Sequence, residues 1–244
     1  MFNELKKKID KIKELGWIPY EQNNYGNVGL QLERLLKINA ENFEIPDYKN
    51  KIEIKTKISK NETKISLFNA TPDSYLYEIK RIHKLYSYSD KNNPEYKILN
   101  QEITSNKKTK IKYNTYFSLK VNRNKKIIQL LVYNNNGVLI DNKTSWSFEL
   151  LQAKLERKLK YLCYIEADKL YIRGQNYVKY KRDYYYILKG FDQFINLIDE
   201  GIISFRFKIG VFKTGSRKGQ LHDHGTSITI DKNNLTMLFD KANY

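Results

Sequence analysis

The stretch IPDYKNKIEIKTK, residues 45–57, directs the fold assignment because a Pro-Asp pair precedes a segment in which apolar and charged residues alternate. Alternation predicts a β-strand, on which Glu53 and Lys55 share one face about 7 Å apart. Asp47 comes before the strand and follows a proline that fixes the local backbone. A short turn at YKN would fold Asp47 back beside Glu53.

Two carboxylates held side by side repel each other unless a cation lies between them. Mg²⁺ binds one or two carboxylates together with carbonyl and water oxygens, so Asp47, Glu53 and the carbonyl of Ile54 form a candidate Mg²⁺ site. Such an ion acidifies a bound water and offsets charge on a phosphoryl oxygen. Lys55 would orient or deprotonate the attacking water, or neutralise the phosphate. The same Glu-x-Lys pattern is also typical of a solvated strand face, and that alternative stays open at this point.

Composition favours a polyanionic partner. The chain has 244 residues, and its 44 Lys and Arg against 27 Asp and Glu give a net charge of +17. Nucleic acid is the commonest partner for such a charge, although a general lysine bias would produce it too. The single cysteine, Cys163, leaves no intrachain disulfide framework or cysteine zinc site, and we expect a reducing cytoplasm. The opening MFNELKKKID does not resemble a signal peptide, and no apolar run is long enough to cross a bilayer, so no membrane partner is expected.

Hydrophobic periodicity predicts helices and strands in irregular alternation. The first helix has Leu5, Ile9, Ile12 and Leu15 on one face and ends at Gly16. Its apolar stripe is narrow, which favours packing on a core over membrane binding. The polar segment 87–112 is expected to be a long loop. Further helices are predicted at NVGLQLERLLKI, 74–86, SFELLQAKLERKLK and GFDQFINLIDE, and strands at KISLF, YNTYFSLKV, KIIQLLVY, VLI, YLCYIEA, KLYIR, NYVKYKRDYYYIL, IISFRFKIGVF and TSITI. The pattern indicates an α/β or mixed α+β chain with a substantial sheet.

The loop KTGSRKGQLHDHG, residues 213–225, has the composition of a DNA-reading element. Arg and Lys donate to guanine O6 and N7 in the major groove, and His is a smaller donor there. Its candidate DNA-binding side chains are Lys213, Arg217, Lys218, His222 and His224. A basic hairpin that touches only phosphates is equally consistent with Arg217 and Lys218. A metal site of both histidines with Asp223 is disfavoured, because no third His or Cys lies nearby in the sequence.

Two further positions are DNA-contact candidates. GNVG, with Asn27 as a helix cap, places backbone amides at a helix start, where a phosphate could rest. In ISLFNATP, Asn69 could read adenine, but stabilisation of a turn is favoured.

Several separated segments together resemble the MvaI/BcnI family of type II restriction endonucleases, which is related to the mismatch-repair nickase MutH. In order along the chain they are GNVGLQLERLL, IPDYKNKIEIKTK, ISLFNATP, DNKTSWSFELLQAKLERKLKY and IGVFKTGSRKGQLHDHGTSITI. The resemblance implies a PD-(D/E)XK fold with a central mixed sheet flanked by helices and two lobes around a DNA cleft. It also implies Mg²⁺-dependent cleavage of duplex DNA at a CC-N-GG-like site by a monomer, with 5′-phosphate ends and a cognate DNA methyltransferase in the same cell.

Residue by residue, the resemblance assigns metal binding to Asp47 and Glu53, catalysis to Lys55, the helical acidic position to Glu33 and base reading to His222. We expect a single endonuclease domain over residues 1–244, with a catalytic lobe over about 1–140 and a recognition lobe over about 141–244. Two alternatives remain: a MutH-like nicking enzyme that needs a partner, and a basic nucleic-acid-binding module without catalysis.

Overall fold

The computed structural model describes residues 1–21, 27–38, 44–58, 63–111 and 114–242, apart from the side chains of Asn27, Tyr75 and Leu76. Within these ranges the α-helices are α1 Phe2–Glu14, α2 Asn27–Leu35, α3 Tyr75–Tyr86, α4 Phe148–Leu159, α5 Phe191–Asp199 and α6 Leu235–Leu238, and a 3₁₀ turn covers Lys232–Asn234. The strands are β1 Ile18–Tyr20, β2 Glu53–Ile58, β3 Lys64–Ala70, β4 Tyr88–Ser89, β5 Lys97–Ile103, β6 Thr109–Ile111, β7 Thr115–Asn122, β8 Ile127–Tyr133, β9 Leu139–Asp141, β10 Ser145–Ser147, β11 Tyr161–Ile172, β12 Gln175–Leu188, β13 Ile203–Val211, β14 Leu221–Asp223, β15 Thr226–Asp231 and β16 Phe239–Lys241.

The chain divides into two compact units, each assembled from separate segments. The first contains residues 1–65, 155–190 and 235–244, and the second contains residues 66–154 and 191–234. In this division the long strands β11 and β12, late in the sequence, belong with the N-terminal segment. Both units mix helices with sheets, so the α+β class predicted from the sequence is confirmed.

The first unit is built on a mixed five-stranded sheet in the order β1-β12-β11-β2, with β16 paired to β12. Strand β2 runs parallel to β11, whereas the other pairings are antiparallel. The parallel register sets Leu162 beside Glu53 and Cys163 beside Ile54. This pairing fixes the face on which each side chain of β2 projects.

Helix α1 packs its apolar stripe against this sheet, as its periodicity predicts. Leu5 and Ile9 are fully buried, and Phe2 and Ile12 nearly so. Leu15, predicted on the same face, is instead 60% exposed and forms the C-cap of the helix. No helix in the described part of the chain is long and apolar enough to span a membrane.

The second unit contains two sheets. One has the order β10-β8-β7-β6 with β9 paired to β8, and the other has the order β3-β15-β13-β5-β4 with β14 paired to β13. Trp146 is fully buried and meets the ring of Phe205 edge-on at 5.1 Å. The indole of Trp146 also donates a hydrogen bond to the carbonyl of Ala70 at 3.2 Å, which satisfies its polar atom inside the core.

Two predicted secondary-structure assignments are wrong as well. The segment 87–112, expected to be a loop, contains β4, β5 and β6. In β5 only Leu99 and Ile103 are buried, so its sequence lacks the alternation of a strand. Strand β5 joins the sheet by pairing with β13, which a polar sequence does not reveal. YLCYIEA and KLYIR form the single strand β11, and a register shift between Glu166 and Ala167 disturbs the alternation that would have joined them.

Candidate active site

A tight turn brings Asp47 back to strand β2, as its spacing predicts. Tyr48 and Ile52 exchange backbone hydrogen bonds of 2.9 and 3.1 Å. Lys49 and Asn50, between them, both have positive φ, at 52° and 55°. Asp47 Oδ2 then accepts a 2.8 Å hydrogen bond from the backbone N–H of Ile54.

Glu53 is a fully buried carboxylate. Its Oε1 lies 2.5 Å from the ammonium nitrogen of Lys55 and 3.5 Å from that of Lys158. Its Oε2 is also buried and has no hydrogen-bond partner among the described residues. The solvated strand face that the sequence left open as an alternative is therefore wrong for Glu53. A buried carboxylate oxygen without a partner is costly, which makes this atom the strongest indication of a missing ligand.

Glu33 belongs to the same electrostatic group. It lies on α2, which contacts β2, and its side chain is partly buried. Burial raises the pKa of Glu33, and repulsion from the carboxylates of Asp47 and Glu53 raises it further, while the ammonium of Lys55 opposes both effects. Burial likewise raises the pKa of Glu53, against the opposing effect of Lys55.

The donor set fits a hard divalent cation. The N–H of Ile54 is directed at Asp47, and because the N–H and C=O of a strand residue point to the same side, the carbonyl of Ile54 lies on that side too. Two carboxylates and one carbonyl match the oxygen ligands of Mg²⁺, which completes its octahedron with water and substrate phosphate oxygens. No cluster of three or more His, Cys, Asp or Glu with metal-binding geometry occurs among the described residues.

The predicted DNA-reading loop forms a hairpin of β13 with β14. Gly210 faces His222 across the two strands, and Phe212 and Gln220 close the hairpin with a 3.0 Å backbone hydrogen bond. Phe212 stacks on His222 with ring centroids 4.1 Å apart and an angle of 13°. The guanidinium of Arg217 lies 4.0 Å from the centre of the Phe212 ring.

The histidines lie together within this hairpin. The rings of His222 and His224 are 4.0 Å apart. Burial lowers the pKa of His222, and the nearby charges of His224 and Arg217 lower it further, so the neutral imidazole is favoured. The described residues contain no group of three or more His, Cys, Asp or Glu side chains placed to hold a metal ion.

The remaining candidates differ in how freely they can reach DNA. Lys218 is exposed. Lys213 is exposed as well, but its ammonium forms a 2.6 Å ion pair with Asp90. Asn69 lies in β3 and not in a turn of its own; its Nδ2 donates to the carbonyl of His224 at 3.0 Å, so it holds the end of the hairpin. Asn27 begins α2, and its side chain lies outside the described part of the chain.

Comparison with known proteins assigns the family. The model of the MvaI/BcnI restriction endonuclease family matches residues 6–239. The chain belongs to this family. It is therefore a type II site-specific deoxyribonuclease, and the resemblance seen in the sequence is confirmed.

Two solved structures of an MvaI/BcnI enzyme are similar to the chain. One is described as a complex of restriction endonuclease MvaI with its cognate DNA substrate, with a TM-score of 0.89 and 28% identity over 98% of this chain and 96% of that one. The other, MvaI in the absence of DNA, has a TM-score of 0.64 at 28% identity over 99% and 96%. No curated protein matches the sequence.

Sequence reasoning missed one residue of this MvaI/BcnI site, Lys158. It lies on α4, 105 positions after Glu53 in the chain, and its ammonium is 3.5 Å from Glu53 Oε1. The only signal in the sequence is a lysine next to the apolar stripe of an amphipathic helix, which is also the normal composition of a solvated helix face. The contact depends on the β11–β2 pairing, which local periodicity does not encode.

Proposed function

We propose that this restriction endonuclease hydrolyses both strands of duplex DNA in a Mg²⁺-dependent, sequence-specific reaction. We propose a short target of the CC-N-GG type and products with 5′-phosphate and 3′-hydroxyl ends. The observation that carries the proposal is the buried Oε2 atom of Glu53, which has no hydrogen-bond partner among the described residues, on the strand to which Asp47 is hydrogen-bonded. A buried carboxylate oxygen without a hydrogen-bond partner, close to a second carboxylate, is typical of a site that a cation completes.

Three groups of the chain would hold the ion: the carboxylates of Asp47 and Glu53 and the carbonyl of Ile54. When bound there, Mg²⁺ supplies charge stabilisation at a phosphoryl oxygen and a water of increased acidity. The hydrogen bond from the N–H of Ile54 holds Asp47 in place, and the ion pair with Lys55 holds Glu53. Both acids are thus oriented before DNA or metal arrives, which lowers the reorganisation cost of the reaction.

Lys55 is the group that we assign to the reacting atoms. Hydrolysis forms a bond from a water oxygen to phosphorus and breaks the bond from phosphorus to the 3′-oxygen; the water loses a proton and the 3′-oxygen gains one. A lysine ammonium is a compact donor that can orient the attacking water or neutralise the phosphate. Glu33, whose pKa burial raises, adds a carboxylate beside this group that can accept a hydrogen bond from that water.

The hairpin of β13 and β14 is our candidate for base reading. His222 stacks on Phe212 and contacts the ring of His224, and these two contacts restrain its ring. A fixed ring loses little entropy when it binds a base edge, and this favours discrimination. Arg217 and Lys218 are assigned to the DNA backbone or to guanine.

The partners follow from the chemistry and from the similar solved complex, whose title names a cognate DNA substrate. We propose duplex DNA as the substrate and a monomer as the active form. A cognate methyltransferase in the same cytoplasm would protect the host sites without being bound to this chain.

A plasmid assay tests the proposal. Supercoiled DNA is incubated with the purified chain in Mg²⁺ or in chelator, and linear and nicked products are separated. We expect linear DNA to form in Mg²⁺ and not in chelator. Nicked circles alone would favour a MutH-like nicking enzyme, and intact DNA bound with a steep salt dependence would favour a binding module.

A further inference from the structure

A second lysine shares the buried carboxylate of Glu53 with Lys55. The Nζ atom of Lys158 lies 3.5 Å from Oε1 of Glu53, the same oxygen that Lys55 contacts at 2.5 Å. The side chain of Lys158 is 17% exposed, compared with 26% for Lys55. Two ammonium groups therefore converge on one oxygen, and the other oxygen of Glu53 has no hydrogen-bond partner in the described part of the chain.

The backbone fixes the position of Lys158. Leu155 and Leu159 are fully buried and anchor the last turn of α4, so Lys158 lies at the edge of a packed stripe. A single residue separates α4 from β11, and Leu162 of β11 is the register partner of Glu53. Lys158 thus comes four positions before the residue that pairs with Glu53, and no long flexible segment intervenes.

The charges of the site give a second lysine a role beside Lys55. Three carboxylates, those of Glu33, Asp47 and Glu53, interact with one another, and both Lys55 and Lys158 attract Glu33 and Glu53. A buried carboxylate that loses a cationic partner bears a large desolvation cost. If Lys55 were the sole counter-ion of Glu53, movement of Lys55 towards a phosphate would leave Glu53 uncompensated.

We propose that Lys158 is a positioning residue of the nuclease: it holds Oε1 of Glu53, so that Oε2 remains available to a divalent cation and Lys55 remains available to DNA. This inference rests on the proposed function of Asp47, Glu53 and Lys55. The inference adds to the active site the ammonium group of Lys158 on α4, which lies outside the Glu-x-Lys motif.

Single-turnover cleavage with saturating Mg²⁺ is the first test. Lys158→Met is expected to cleave about 10–100-fold more slowly than the wild type, the usual effect of losing a group that orients a metal ligand. Lys158→Arg keeps the charge and is expected to recover most of the rate. Arg157→Met is the matched control, because it removes the same charge from the exposed residue that directly precedes Lys158 on α4. This variant is expected to cleave at the wild-type rate.

Thermal melting in chelator gives a readout that needs neither metal nor DNA. The coupling is measured in a double-mutant cycle of four proteins: the wild type, Lys158→Met, Glu53→Gln and the double variant. Lys158→Met is expected to lower Tm in the wild-type background and to lower it less in the Glu53→Gln background, because the carboxylate that Lys158 contacts there is no longer charged. If Lys158→Met does not fold, Lys158→Gln replaces it in both experiments.

The outcomes separate this inference from the proposed function. A wild-type chain that does not cleave DNA contradicts the proposed function, while the melting cycle still tests the coupling of Lys158 to Glu53. Cleavage by the wild type and Lys158→Met at equal rates overturns the positioning role. An equal loss of rate in Lys158→Arg and Lys158→Met, or additive effects on Tm in the cycle, overturns it as well, since the charge would then not be what matters.

Discussion

The carboxylate of Asp47 accepts a 2.8 Å hydrogen bond from the backbone N–H of Ile54, seven positions later in the chain. This bond attaches the acid of the turn to the strand that bears Glu53 and Lys55. The three side chains consequently belong to one short segment, residues 47–55, that is closed by this bond. A substitution that keeps this hydrogen bond but removes the charge can separate the chemical role of Asp47 from its structural role.

Asp47→Asn is that substitution. The amide oxygen can still accept from Ile54, so we expect the fold and the affinity for DNA to be retained. The loss of an anionic metal ligand is expected to slow cleavage about 100-fold or more, equivalent to about 2.7 kcal/mol in the barrier. Single-turnover rates, with Tm and DNA affinity as controls, check this. A wild-type rate in saturating Mg²⁺ would remove Asp47 from the metal site.

Lys55→Met is expected to abolish measurable cleavage while DNA binding is largely kept, because the proposal gives Lys55 a role at the reacting atoms. Lys51→Met is the matched control, because it removes the same charge from an exposed residue just before the same strand. Gel-shift affinity in Ca²⁺ and cleavage in Mg²⁺ are measured for both variants. Equal cleavage by the two variants would show that Lys55 contributes only general positive charge.

Glu33→Gln is expected to raise stability at pH 8. Burial and the neighbouring carboxylates raise the pKa of Glu33 from its ordinary value of 4.5. The folded chain therefore binds this proton more tightly than the unfolded chain, so ionisation of Glu33 destabilises the fold. The cost is absent below about pH 4.5 and is complete once the pH exceeds the raised pKa.

Melting curves of the wild type and Glu33→Gln in chelator, from pH 4.5 to 8, test this. The difference in Tm should grow as the pH rises. A difference that is the same at every pH, or a variant that melts lower at pH 8, would contradict the assigned electrostatic environment of Glu33.

The local parts of the site were predictable from the sequence, and its three-dimensional parts were not. The alternation around Glu53 and the Pro-Asp turn are local signals, and they gave the strand and the return of Asp47 correctly. The burial of Glu53 comes from pairing with β11, about a hundred residues away, and the contact with Lys158 comes from the same pairing. Hydrophobic periodicity carries no information on such pairings, which is also why β5 looked like a loop.

His222→Ala is expected to weaken discrimination between the target and sites that differ by one base pair. A good base contact contributes about 1–3 kcal/mol, so the cleavage ratio should fall by about 10–100-fold. Phe212→Ala should have a smaller effect in the same direction, because it removes the ring on which His222 stacks. Rates at the cognate site serve as the control. Unchanged ratios on single-base variants of the site would exclude His222 from base reading.

Gly225→Ala is expected to disturb the end of the hairpin. Gly225 has φ +78°, and an added Cβ would lie 3.3 Å from Cβ of Asn69, whose amide holds the carbonyl of His224. Gly219→Ala is the control, because Gly219 has φ +81° with nothing within 4 Å of an added Cβ. Each variant should lose about 1 kcal/mol from the positive φ. Gly225→Ala should lose more and also cleave less selectively; equal losses of stability and equal selectivity would argue against this contact.

Sequencing of the DNA ends from a complete digest tests the central claim most directly. A long, unmethylated DNA of known sequence is incubated with the wild-type chain in Mg²⁺, in chelator, and with Glu53→Gln in Mg²⁺. We predict discrete 5′-phosphate ends that share a short CC-N-GG-like motif, only for the wild type and only with Mg²⁺. Ends without a common motif would contradict the proposed specificity, and discrete ends from Glu53→Gln or in chelator would contradict a metal-dependent centre at Asp47 and Glu53.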